Sequence, residues 1–415
     1  KLKISSIMFS KASFWLKISL FNLLLVALLG LLLRYKMGFD FAYFDHKFLL
    51  HSHSHFAFSG WITHTLMVLM LVFLSHQRTD AKDSFLKKYN GVLIANLICA
   101  YVMLISFIIQ GYGTVSIIFS TLSIFVSFVF AYFFFQDLRF ISNADLAKKW
   151  FKAALFFNVI SSFGTFYLAF MMATKTLEHN PYLASIYYYL HFQYNGWFFF
   201  ASIGILISLL QLKASEHKFY NRFFYLFFAA CFPAYFLSTL WLELPLWVHA
   251  FTILAAIIQV YAWFKFLLLV VQSRNHDISK YPKFLRYILV FVAFSLSLKV
   301  LLQLGSTIPS LSEIAYGFRP IVIAYLHLIL LAVISLFLLF YVFATHLIPL
   351  SKAIKTGLIT FAVGVFLNEF ILGMEGLSFF SEGFIPYISK MLFGAAVILV
   401  LGMGITAFGA LKVQK

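Results

Sequence analysis

His51-Ser52-His53-Ser54-His55-Phe56-Ala57-Phe58-Ser59-Gly60-Trp61 is the stretch on which the reading of this chain turns, because part of it recurs. His191-Phe192-Gln193-Tyr194-Asn195-Gly196-Trp197 repeats the pattern that starts at His55: His, Phe, any residue, an aromatic, a small or polar residue, Gly, Trp. A weaker copy runs His327-Leu328-Ile329-Leu330-Leu331-Ala332-Val333. His55, His191 and His327 are equally spaced, 136 residues from one to the next. A fixed period of that kind predicts a threefold internal repeat.

The surrounding chain is 63% hydrophobic and 11% charged, with a mean hydropathy of +0.94. A soluble domain of that composition would expose far too much apolar surface. Apolar runs of about 20 residues recur along the chain, each long enough to cross a hydrocarbon core of about 30 Å. In lipid such runs must be helical, because an open sheet edge finds no hydrogen-bond partner there. The fold class expected is all-α: a polytopic membrane protein whose lipid partner is the bilayer. Twelve spans are expected, at about 14–34, 53–75, 92–111, 114–135, 150–173, 187–212, 221–242, 245–272, 284–304, 318–344, 354–374 and 389–411. The first run lacks an Ala-x-Ala-like exit and reads as a retained helix.

The net charge of +17 raises the question of nucleic acid. Its distribution answers with topology instead, and no nucleic-acid partner is expected. With the N-terminus inside, the outer segments hold only Arg34, Lys36, Lys47, Lys175, Arg319 and Lys390 of the 31 Lys and Arg residues. Lys17, Lys265 and Lys299 fall within spans, where Lys265 and Lys299 can snorkel. The rest lie in inner segments, which predicts cytoplasmic termini and a bacterial-type inner (plasma) membrane. The two cysteines, Cys99 and Cys231, both lie inside spans, so no disulfide framework is expected.

Twelve helices in three repeats give four helices per repeat, with repeats at about 1–140, 141–276 and 277–415. All of these belong to one transmembrane domain. His55, His191 and His327 then fall on helices 2, 6 and 10, which run in the same direction, so the three rings should share a depth. His249 lies near the outer end of helix 8. The bland reading of any one of these is a helix–helix hydrogen bond, but ionisable groups at membrane depth default to functional hypotheses.

Five residues after each repeated histidine stands a small residue, Gly60, Gly196 or Ala332, which lets a backbone or a flat macrocycle approach closely. Two residues before stands His53, Tyr189 or Tyr325. Haem iron takes axial histidines from facing helices. Zinc or copper also accepts imidazole, and His51, His53 and His55 alternate in a way that offers a chelating cluster or an interfacial polar cap. His64, nine residues past His55, is expected on the opposite helix face. Glu369 is the one acid well inside a span, with Glu375 and Glu243 nearer the ends.

This pattern resembles subunit I of the haem–copper oxidase superfamily, which has twelve helices, cytoplasmic termini and a pseudo-threefold arrangement. The phrase His-x-His-x-x-x-x-Gly-Trp on helix 2 is similar to short oxidase-like proteins and to NnrS-type haem and copper membrane proteins. The resemblance implies His55 and His327 as axial ligands of a b-type haem, flanked by Gly60 and Gly196. It implies His191 as a copper ligand, or a modified site using His191 and His249; His53 and His51 are metal candidates by their alternation with His55. The seventh expected helix, Asn221 to Leu242, has no histidine, so the family's His-His copper pair is missing and a full oxygen-reducing centre is not expected. The function expected is electron transfer, or handling of nitric oxide or oxygen. Other membrane subunits, or a cytochrome or quinol donor, would be partners. The alternatives are a transporter or channel, and a non-catalytic structural subunit on the same scaffold.

Overall fold

The computed structural model describes residues 6–77, 83–142, 145–210, 212–272, 278–380, 383 and 385–413. Among the inner-side cations expected from the sequence, Lys1, Lys3, Arg78, Lys82, Arg274 and Lys415 lie outside them. The chain is a polytopic α-helical membrane protein, with no β-strand among the described residues. Eleven helices among the described residues are long and apolar enough to cross a membrane. They are α1 (Lys11–Gly38), α2 (His46–Gln77), α3 (Lys87–Gln110), α4 (Thr114–Phe140), α5 (Leu146–Thr174) and α6 (His179–Leu209). After a shorter α7 (His217–Cys231) come α8 (Leu246–Gln272), α9 (Lys283–Gly305), α10 (Arg319–Ala344), α11 (Lys352–Ser378) and α12 (Ile388–Lys412).

The seventh expected span differs from the others. The α-helix of α7 ends at Cys231, and Pro233–Ser238 continues as a 3₁₀-helix. Pro233 is the cause, since its ring clashes with the carbonyl of the preceding turn and it has no N–H to donate.

Local chemistry fixes the other ends. The Asp45 carboxylate accepts the Phe48 N–H at 2.9 Å and starts α2, and Asp145 accepts the Ala147 N–H at 2.9 Å and starts α5. Lys175 closes α5 in the left-handed region, at φ 57°. The tight turn from α3 to α4 places Gly111 at φ 55° against the Phe48 ring, where a side chain would be both strained and crowded.

The contacts group the chain into two units, residues 1–140 with 335–415, and residues 141–334. The first holds α1–α4, the C-terminal part of α10, α11 and α12. Its centre is α2, 89% of whose most apolar window is buried, against 22% for the peripheral α4. Small residues bring α11 and α12 together, with Gly357 facing Thr406 and Gly402 facing Phe361. The second unit holds α5–α9 and the N-terminal part of α10. There α6 is central, with 83% of its window buried.

Both central helices, and α10, change winding at corresponding places. π-helical turns occupy Ala57–Thr63 in α2, Phe192–Phe198 in α6 and Leu328–Ser335 in α10. Each begins one or two residues after a repeated histidine. π-turns are rare and concentrate at functional sites.

Candidate functional site

The three histidine segments share a chain position but hold their rings in different ways. On α2, His51 and His55 are four residues apart and lie on one face, toward the end of α3. The His55 ring stacks on Phe107 at 4.4 Å, and its Nε2 lies 3.1 Å from the Tyr112 hydroxyl. His51 meets the Tyr112 ring edge-on at 4.6 Å. His53, two residues from each, points elsewhere: its ring lies against Gly30 of α1, and its Nδ1 has no hydrogen-bond partner. Helical phase therefore splits the His51, His53 and His55 set. Among the described residues no three His, Cys, Asp or Glu side chains are grouped to hold a metal ion.

On α6, His191 is fully buried and both ring nitrogens are occupied. Nε2 lies 2.9 Å from the Cys231 carbonyl, and Nδ1 lies 3.1 Å from the Asn195 amide nitrogen. A carbonyl only accepts, so Nε2 carries the proton and Nδ1 accepts from Asn195. The Cys231 carbonyl is available because the α-helix stops there. Tyr235, which would be its partner in a continued helix, donates instead to the Phe232 carbonyl. His191 thus caps a helix end that Pro233 creates. A copper ion at His191 would have to displace these bonds.

On α10, His327 is half-buried, with Nδ1 2.9 Å from the Ile323 carbonyl. The same logic puts the proton on Nδ1 and the lone pair on Nε2. Metal-ligating histidines are oriented by this bond, which fixes the tautomer and raises ligand basicity. His249 is half-buried at the start of α8.

The small residues serve close packing. A Cβ at Gly60 would meet the Phe56 ring at 2.7 Å, and one at Gly196 would meet the Phe157 Cβ at 2.5 Å. The faces that the sequence reserves for a macrocycle are filled by aromatic rings at these two positions.

Several polar side chains that sustain these turns carry no local sequence signal. A wider turn releases carbonyls from the α-helical ladder, and buried carbonyls need donors. Asn22 of α1 donates to the Gly60 carbonyl at 2.6 Å, and the Tyr101 hydroxyl in turn donates to Asn22 at 2.6 Å. Asn96 of α3 donates to the Ser59 carbonyl at 3.1 Å, while Trp61 Nε1 donates to Ser335 Oγ at 2.8 Å. On α6, Gln193 donates to Ser161 Oγ at 2.8 Å, and the Cys231 thiol lies 3.8 Å from the Asn195 carbonyl. The carbonyl four residues past the histidine is thus served by a side chain from another helix on both α2 and α6.

His64 does turn from the His55 surroundings. It is fully buried beside Trp15, with Nδ1 3.5 Å from Asn96 and Nε2 unpartnered. Lys299 does not snorkel. It is 4% exposed on the face of α9 that also carries Ser295 and Gln303, and lies within electrostatic reach of His191 and Cys231. Lys265 instead lies over the Tyr261 ring. Glu369 accepts from the Asn368 amide at 3.1 Å, and both it and Glu375 lie within electrostatic reach of Arg34.

In sequence, the chain matches no protein-family model and no curated protein.

Proposed function

We propose that this chain is an inner-membrane haem protein of twelve transmembrane helices in three four-helix pseudo-repeats. In this reading it binds b-type haem through histidines of the repeated His–π-turn segments and serves electron transfer or the handling of nitric oxide or oxygen. The observation that carries it is the recurrence of a π-turn one or two residues after His55, His191 and His327, with the His327 ring oriented by its Nδ1–H to the Ile323 carbonyl. The recurrence of a π-turn after His55, His191 and His327 supports the repeat. The α-helix and 3₁₀-helix of the α7 region, at 1.5 and 2.0 Å per residue, together rise roughly 34 Å, which supports a twelfth crossing. The distribution of Lys and Arg supports cytoplasmic termini.

The resemblance gives His327 and His55 as the histidines that would hold the haem. A haem supplies one-electron chemistry and a site for a diatomic gas. The chain's own residues orient the imidazoles, with Ile323 holding the His327 proton. At His55 the Phe107 stack sets the ring plane, and the Tyr112 hydroxyl on Nε2 would have to yield that nitrogen to the iron. His191 acts through packing. A pyridine-haemochrome assay of protein purified from haem-replete cells tests the reading. About one b-type haem per chain is expected, and haem-free protein overturns it.

A second reading, a transporter or channel, is favoured by the interior of the second unit. There buried Lys299 shares a helix face with unpartnered Ser295 Oγ and Gln303 Oε1, and Gln259 Oε1 on α8 also lacks a partner. Substrate-independent ion flux in proteoliposomes, lost in Lys299→Met, is the outcome that reading requires.

A further inference from the structure

The exposed face of α7 grades from charge to hydrocarbon. A groove of about 490 Å³ opens along it, with Lys218, Asn221 and Arg222 at one end. Tyr225, Leu226 and Ala229 continue the same helix face, and Ile258 of α8 forms the far wall. The spacing explains the continuity: residues 218, 222, 225 and 229 follow one another by three and four positions, which is one stripe of an α-helix.

A third cation reaches the charged end from α5. Lys149 Nζ donates to Asn221 Oδ1 at 2.8 Å and lies 5.4 Å from the Tyr225 ring centre. Both of those residues line the groove. Glu216, the acid closest in sequence, is turned onto the Lys213 backbone N–H at 2.8 Å.

The dimensions fit a membrane leaflet. Lys218 and Ala229 are eleven residues apart, a rise of roughly 16 Å. That is about half of a hydrocarbon core of about 30 Å. The cationic end stands at the first turns of α7, where the chain leaves its connecting segment, and the apolar end lies deep along the helix.

We propose that this groove is a binding site for an anionic phospholipid. Its phosphate sits between Lys218, Arg222 and Lys149, and an acyl chain lies along Tyr225, Leu226, Ala229 and Ile258. Basic pockets between transmembrane helices take anionic headgroups in this way, with Arg offering a fork and Lys a point charge to phosphate oxygens. Three cations favour a headgroup of net negative charge over a zwitterionic one. The site is independent of the haem reading.

The test uses the full chain in detergent, titrated with phosphatidylglycerol or with phosphatidylcholine of the same acyl chains. Binding is read by native mass spectrometry and by the thermal unfolding midpoint. Phosphatidylglycerol should bind and raise the midpoint, and phosphatidylcholine should not match it. Lys218→Gln with Arg222→Gln removes two juxtamembrane charges and should weaken phosphatidylglycerol roughly 30-fold. Ala229→Trp, which leaves the charges in place and fills the tail path, should weaken it as well. Both variants should unfold at the wild-type temperature in phosphatidylcholine, which separates lost binding from lost folding. Equal binding of the two lipids by the wild type overturns the proposal. So does undiminished phosphatidylglycerol binding by the charge variant, or a midpoint shift that millimolar inorganic phosphate reproduces alone.

Discussion

Replacing Asn22 or Asn96 with Ala tests how the π-turn of α2 is held. Each change leaves a buried carbonyl, Gly60 or Ser59, without its side-chain donor. An unsatisfied buried group costs about 1–3 kcal/mol, so each variant should unfold at a lower temperature in detergent. His191→Ala should cost a similar amount, because it orphans the Cys231 carbonyl and the Asn195 amide. It should leave bound haem unchanged, and loss of haem in that variant would give His191 a ligand's role instead. At this scale the sequence was legible where the signal was literal. The period that links His55, His191 and His327 can be read by eye. The partners that set each ring's tautomer cannot. Cys231 is 40 residues from His191 and Asn22 is 38 from Gly60, and neither carries a motif. Lys299 departs from the snorkelling expectation for a related reason: an amine in an apolar run looks like a snorkelling one until the helix face it occupies is known.

Helices as elements were the most legible part of the chain, because lipid demands long apolar runs and the chain has them. Their interruptions were not. A π-turn inserts one extra residue into the register, and its stability comes from neighbouring side chains rather than from composition. The packing it permits is specific. At Gly196 a Cβ would press on the Phe157 Cβ, so Gly196→Ala forces α5 and α6 apart and should destabilise by about 1–3 kcal/mol. Thermal unfolding of that variant beside Gly91→Ala checks the figure, since Gly91 has open space around it. Pro233 lies inside a run whose hydropathy alone predicts an unbroken span. Whether that region crosses is open to direct measurement. A cysteine placed at Lys280 in a background lacking Cys99 and Cys231 should react with an impermeant maleimide only from the cytoplasmic side. Labelling from the outside would mean that the α7 region turns back and that every later helix is inverted.

At the scale of the whole molecule, two units each gather round one deeply buried helix, α2 in the first and α6 in the second. Each of those helices carries a repeated histidine just before its π-turn, and α10 carries the third. The membrane class followed from composition alone, because no soluble surface accommodates 63% hydrophobic residues. Function did not follow from composition or from fold, since a helical scaffold hosts many chemistries. It rests on the site, and on the recurrence of a π-turn after the three histidines. The most direct measurement is the absorption spectrum of protein purified from haem-replete cells, recorded for the wild type, His327→Ala, His55→Ala and His191→Ala. A Soret band in the wild type and in His191→Ala, and its loss in His327→Ala and His55→Ala, is the expected result. A colourless wild type, or a band unaffected by His327→Ala, would contradict the assignment.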